Sequence, residues 1–327
     1  MPAWLPALLA SLLGTGLVRA YALRLRLLDQ PGDARRNHAA ATPRGGGMAL
    51  WLVMLVVFAW LGSTHAGAAG AWWWWALALG LAGGIGAWDD HRPLPIALRL
   101  GVQLLAAAAA AHAVLRVGGP PWLAGAALLA VPVTVNFWNF MDGINGIAAL
   151  QAVIVALAAA ALLEGEWRLL ALTAAAAGLG FLPWNFPRAR IFMGDVGSGS
   201  LGLLVACLWT GCALASDRAA LLLAFPLAAF LVDAGLTILT RMRAGEIWWQ
   251  PHSRHSYQLA ARRWGSHARV SMLYAAWSIV GATFGWMLRE SANIFIMFCL
   301  GAWYTGTVIG WAWLRRRPAH DQTGSSG

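Results

Sequence analysis

Residues 185–202 read NFPRARIFMGDVGSGSLG, and the fold of the whole chain hangs on how they are read. Asp195 stands between Gly194 and Gly197, behind an arginine-bearing loop and directly ahead of an apolar run that reads as a membrane helix. A carboxylate there lies where the chain re-enters lipid, beside flexible backbone that lets a phosphate approach closely. Alone, such a segment is more often a polar turn whose glycines mark a helix start. Three further polar clusters change that reading: Asp89 with Asp90, residues 136–145, and residues 252–255, all expected on the same side of a membrane.

Composition supports a membrane. The 327 residues are 60% hydrophobic and 11% charged, against about a quarter charged in ordinary soluble domains. Apolar runs of spanning or near-spanning length occur at about eleven places, near residues 2–23, 47–61, 71–88, 98–115, 122–138, 147–163, 169–182, 197–215, 219–240, 270–288 and 293–314. The expected fold is therefore all-α, a polytopic membrane helix bundle with about eleven transmembrane helices. One integral-membrane domain is expected over residues 1–318, with a polar tail at 319–327. The first run lacks a basic leader and a cleavage site and is taken as an uncleaved span.

The net charge of +10 comes from 23 basic residues, all arginine. Nineteen fall in one set of alternating loops, and only Arg116, Arg168, Arg218 and Arg289 in the other. That asymmetry is a positive-inside signal: it places the N-terminus in the periplasm and the C-terminus in the cytoplasm, and it explains the charge without nucleic acid. Cys207, Cys212 and Cys299 all lie within apolar runs and read as small fillers. The four tryptophans at 72–75 read as an interfacial aromatic belt.

The clusters fall in the arginine-rich loops. The first, from Leu27, holds Asp29, Pro31, Arg35, Arg36, His38, Thr42, Pro43 and Arg44 before three glycines, a cationic loop able to cradle an anion. Asp89 and Asp90 end the third run, where the helix dipole disfavours negative charge, so they need a cation such as Arg92, Arg99 or Mg²⁺. An ion-paired helix cap is the plainer alternative. In VNFWNFMDGINGIAAL, Asn136, Asn139, Asp142 and Asn145 recur every third residue, offering donors and acceptors to a sugar or nucleobase, or else an N-capping turn. Asp233 lies inside the ninth run, either functional or bonded to Thr237 one turn on. His252, Arg254 and His255 precede a short helix-like piece and could bind phosphate or metal, or be ordinary surface residues.

Five motifs come in register: D-x-P-x-x-x-R-x-x-H with T-P-R-x-G-G, D-D with R-L-x-x-Q, N-F-M-D-G-I-N-G, N-x-P-x-A-x-I-F-M-G-D-V-G-S, and H-S-R-H-x-Y-Q. In these the chain resembles the polyprenyl-phosphate N-acetylhexosamine-1-phosphate transferases of glycosyltransferase family 4. The last motif looks more like the O-antigen-initiating branch than the related peptidoglycan enzyme. The resemblance implies transfer of a (deoxy)hexosamine-1-phosphate from a UDP-sugar to undecaprenyl phosphate, releasing UMP at the cytoplasmic face of the bacterial inner membrane. It implies that Asp195 coordinates Mg²⁺, with Mn²⁺ as substitute, and that Asp89 and Asp90 act at the lipid-phosphate end. It further implies substrate-binding roles for His38, Arg44, Asn139, Asp142, Asn145, Asn185, Phe192, His252, Arg254 and His255, and a homodimer as candidate assembly. Where the family often has a second aspartate, this chain has Asn145, which keeps hydrogen bonding but not metal ligation. The rival is a transporter or flippase, which would place its polar groups near the membrane midplane and show internal repeats.

Overall fold

The computed structural model describes residues 4–29, 41–65, 69–247 and 253–316, and these are almost entirely helical. In chain order they form α1 (Trp4–Arg24), a two-residue hairpin of β1 (Leu28–Asp29) and β2 (Thr42–Pro43), α2 (Met48–Thr64), α3 (Ala69–His91), α4 (Ile96–Arg116), α5 (Pro121–Met141), α6 (Ile147–Leu162), α7 (Gly165–Asn185), α8 (Gly194–Ala215), α9 (Asp217–Arg243), α10 (Ser256–Trp264), α11 (His267–Met287) and α12 (Asn293–Arg315). Each of the expected apolar runs coincides with one helix. Among the described residues, seven helices are long and apolar enough to cross a membrane, and α2 and α6 are apolar but shorter, at 17 and 16 residues. The chain is thus a multi-pass membrane protein. The tail at 319–327 lies outside the described residues, as do His38 and His252.

Local chemistry sets the helix ends. Pro121 opens α5, where a missing N–H does no harm. Ser216 caps α9 by accepting from the Ala219 amide at 3.1 Å, and Ser266 caps α11 by accepting from Arg269 at 3.3 Å. The bundle is organised around α8, of which 78% is buried, against 11% for α12 at the periphery. Small residues let α8 sit so deep. A Cβ on Gly47 would lie 2.2 Å from the Gly197 Cα, and one on Gly86 2.4 Å from the Asp195 carbonyl oxygen, so the starts of α2 and α8 and the end of α3 meet at backbone distance. Ile294, Phe295, Phe298 and Ile309 of α12 point outward, as contact with lipid requires.

The tryptophan run departs from the expected belt. Trp72 and Trp75 are buried in the core, the Trp72 indole donating to Glu166 at 3.0 Å, while Trp73 is exposed. Four consecutive residues go right round a helix, so some of them must face the bundle.

Candidate active site

The cluster-bearing loops meet at one end of the bundle. There the C-terminal ends of α3, α5 and α7 converge with the N-terminal ends of α2, α4, α6, α8 and α11 around a cavity of about 240 Å³. It is lined by Asp29, Arg44, Asp90, Asn139, Asp142, Gly143, Ile144, Asn145, Asn185, Phe192, Met193, Gly194, Asp195 and His267.

Backbone pairing brings the first loop in. The Phe192 amide donates to the Pro43 carbonyl at 2.7 Å, and the Gly46 and Gly47 amides donate to the Phe192 and Met193 carbonyls, each at 2.9 Å. The T-P-R-G-G-G segment therefore runs alongside I-F-M-G, which sets Arg44 and Phe192 at the cavity wall. Gly194 turns the chain into α8 with φ +76°, a conformation that favours glycine.

The two adjacent aspartates of α3 divide their work. Asp90, 5% exposed, accepts from the Asp195 and Val196 amides at 3.0 and 3.1 Å. Those are N–H groups of the first turn of α8 that no carbonyl within that helix can satisfy, so Asp90 caps α8 from another helix. Asp89 does not line the cavity. It accepts from the Leu94 amide at 2.6 Å, closing the turn between α3 and α4, and from Arg99 at 3.0 Å. The same Arg99 nitrogen reaches Asp195 at 3.1 Å, so one guanidinium ties the two carboxylates together. The other Asp195 oxygen accepts from the Asn139 amide at 2.9 Å, and Asn139 also reaches Ser198 at 3.2 Å.

Asp142 follows α5 and lines the cavity together with the carboxylates of Asp29, Asp90 and Asp195. Burial, then the charges of Asp195 and Asp90, push its carboxyl well above the usual range. Asn185 is buried and holds two loops together: its side-chain oxygen accepts from the Gly146 amide at 2.7 Å and its NH₂ donates to the Ile191 carbonyl at 3.0 Å. The Asn145 NH₂ donates to the Pro187 carbonyl at 3.1 Å, which turns its oxygen toward the His267 ring at 3.2 Å.

The last loop sits apart. Neither Arg254 nor His255 lines the cavity. Arg254 pairs with Glu246, whose carboxyl is held below its usual range by Arg241 and then Arg254. His255 is 2% exposed, 3.7 Å from Asp233 and stacked near Phe140 and Tyr257. Asp233, left open between function and structure by the sequence, carries the bond from Thr237 at 3.2 Å along with three others described below. Of Arg99 and His267, sequence reading offered the first as a cation for the α3 aspartates and passed over the second. The R-L-x-x-Q spacing held a trace of the first, since Gln103 in turn accepts from Asn136 at 2.7 Å.

Hard oxygens dominate the donors here, from Asp29, Asp90, Asp142, Asp195 and Asn139, with His267 the one imidazole in the lining. Among the described residues no group of three or more His, Cys, Asp or Glu side chains is placed to hold a metal alone. That chemistry fits Mg²⁺, which usually takes one or two carboxylates and completes its shell with phosphate oxygens and water.

The molecule is thus a helical membrane bundle whose end cavity sets acidic oxygens and amides beside an arginine. Residues 72–213 match the model of glycosyl transferase family 4. The decaprenyl-phosphate N-acetylglucosaminephosphotransferase of Mycobacterium tuberculosis is 32% identical, the match covering 84% of this chain and 78% of that protein. The probable undecaprenyl-phosphate N-acetylglucosaminyl 1-phosphate transferase of Bacillus subtilis is 30% identical over 63% of this chain and 61% of its own length. The phospho-N-acetylmuramoyl-pentapeptide-transferase of Deinococcus radiodurans is 30% identical over 70% and 80%. The chain belongs to glycosyl transferase family 4.

Proposed function

We propose that this protein transfers a hexosamine-1-phosphate, the N-acetylglucosamine type or a 6-deoxy relative, from its UDP-sugar to undecaprenyl phosphate and releases UMP. The reaction starts an O-antigen or related surface glycan at the cytoplasmic face of the bacterial inner membrane. The observation that carries this reading is the convergence of Asp90, Asn139, Asp142 and Asp195 with Arg44 on one cavity at the arginine-rich end of the bundle. An amphiphile anchored in the bilayer and a water-soluble nucleotide can meet only at such a membrane face.

One P–O bond forms, from a lipid-phosphate oxygen to the sugar-bearing phosphorus, and the bond from that phosphorus to UMP breaks. Of the two α3 aspartates, Asp90 faces the cavity and takes the proton of the lipid phosphate. Its oxygens are hydrogen-bonded to the start of α8, which fixes the carboxylate at the cavity wall. Asp89 acts through Arg99, which it aims at Asp195. Asp195, with Asp142, would hold Mg²⁺, which supplies charge neutralisation on the pyrophosphate. Arg44 offsets negative charge on the departing UMP, and Phe192 offers its ring to the base. Asn185 fixes the loops that form the floor.

The test is UMP release by purified protein with undecaprenyl phosphate and Mg²⁺ across a panel of UDP-N-acetylhexosamines, including 6-deoxy forms. Release that needs both lipid and metal is expected. Folded protein that releases UMP from none of them would overturn the reading.

A further inference from the structure

A carboxylate inside a spanning helix is tolerated only when its oxygens are occupied. Asp233 of α9 is 1% exposed, and beyond its own helix it is met by α10, by His255 just ahead of α10, and by α11. One oxygen accepts from the Ser256 amide at 2.8 Å, the other from the Tyr257 amide at 3.0 Å and the Tyr274 hydroxyl at 2.6 Å. Ser256 and Tyr257 are the first two residues of α10, whose N–H groups have no carbonyl to meet within that helix. Asp233 therefore pins the start of α10 to the bundle.

From that pinned end one side chain goes on toward the cavity. Tyr257 is fully buried, and its hydroxyl donates to the Phe140 carbonyl at 2.9 Å. A Cβ on Gly143 would lie 2.2 Å from that hydroxyl, so only glycine admits the contact. Phe140 and Gly143 bracket Asp142. Burial and the nearby charges of Asp233 and Asp142 push the Tyr257 hydroxyl up, so it remains a donor. No side chain of α10 lines the cavity itself. The helix props the loop that does.

We propose that Asp233 is a positioning residue for the active site, acting through α10 and Tyr257 to hold segment 139–145, and with it Asp142, at the cavity wall. The inference rests on the cavity being the donor-substrate site, but its structural half can be tested without turnover. Amide hydrogen exchange on the full-length protein in nanodiscs is the first measurement, comparing wild type with Tyr257→Phe and Asp233→Asn. Faster exchange across 139–146 in both variants, with α1 and α7 unchanged, is expected. Unchanged exchange there would overturn the inference, and so would acceleration spread over the whole bundle.

Kinetics supply the second arm. Tyr257→Phe removes one oxygen and should raise KM for the UDP-sugar by about fivefold or more while leaving KM for undecaprenyl phosphate within about twofold. Asp233→Glu, which keeps the carboxylate, should recover part of what Asp233→Asn loses. Equal loss toward both substrates, or no recovery by glutamate, would reduce Asp233 to a general stabiliser and sink the positioning role. Because exchange needs no catalysis, failure of the strut and failure of the transferase reading would be told apart.

Discussion

At Gly194 an added Cβ would lie 2.5 Å from the Asp90 carboxylate, on backbone held at φ +76°. Gly194→Ala therefore combines a left-handed strain of roughly 1–2 kcal/mol with expulsion of the carboxylate that caps α8. Lost UMP release and a lowered melting temperature are expected; wild-type activity would show that the cap is dispensable. Asp195→Asn should instead leave the protein folded in the membrane while abolishing metal-dependent turnover, and full activity would remove Asp195 from the site. Asp142 offers a pH test. Its folded carboxyl holds a proton more tightly than the unfolded chain does. The stability this contributes is fully present below the ordinary carboxylate pKa of about 4 and is lost as pH rises through the elevated folded value. In metal-free detergent solution, Asp142→Asn should flatten the fall of melting temperature as pH is raised above about 4. A slope unchanged from wild type would point to another group.

Among the helices, the contact of α3 with α8 decides most. Gly86 has no side chain and lies outside the cavity lining, yet a methyl there would meet the Asp195 backbone at 2.4 Å. Gly86→Ala should push α3 off α8, part Asp90 from the amides it caps, and cost more activity than many changes in the cavity wall; near-normal UMP release would disprove the tight packing. The helices themselves were legible in the sequence, because a run of apolar residues of bilayer length has few alternatives. The polar clusters were legible too, as interruptions of those runs. What hydropathy does not show is which member of a cluster faces the cavity. Asp89 and Asp90 are equivalent in composition, and only the helix rotation separates a residue at the site from one that acts through Arg99. Arg99 was one of two arginines that the sequence offered these aspartates, and its ten-residue separation from Asp89 becomes a contact only when α3 and α4 fold back at Pro93 and Pro95. His255 announced itself as a ligand by its motif, but folding placed it beside a buried aspartate.

For the whole molecule, the side of the membrane is the open quantity with the clearest test. The arginine asymmetry predicts that the cavity end faces the cytoplasm. A reporter fused at the C-terminus should then be active only if it is one that works in the cytoplasm, and activity of a periplasmic reporter there would invert the orientation and remove the site from its nucleotide donor. The two buried aspartates also share a geometry that bears on recognition. Asp90 occupies the amides at the start of α8 and Asp233 those at the start of α10. The exposed start of a helix is the usual resting place for a phosphate. Here two such berths are filled by the protein's own anions before any substrate arrives. A pyrophosphate entering this cavity would find the α8 mooring taken and would have to be met by side-chain charge such as Arg44, so the binding of donor should weaken steeply as salt is raised.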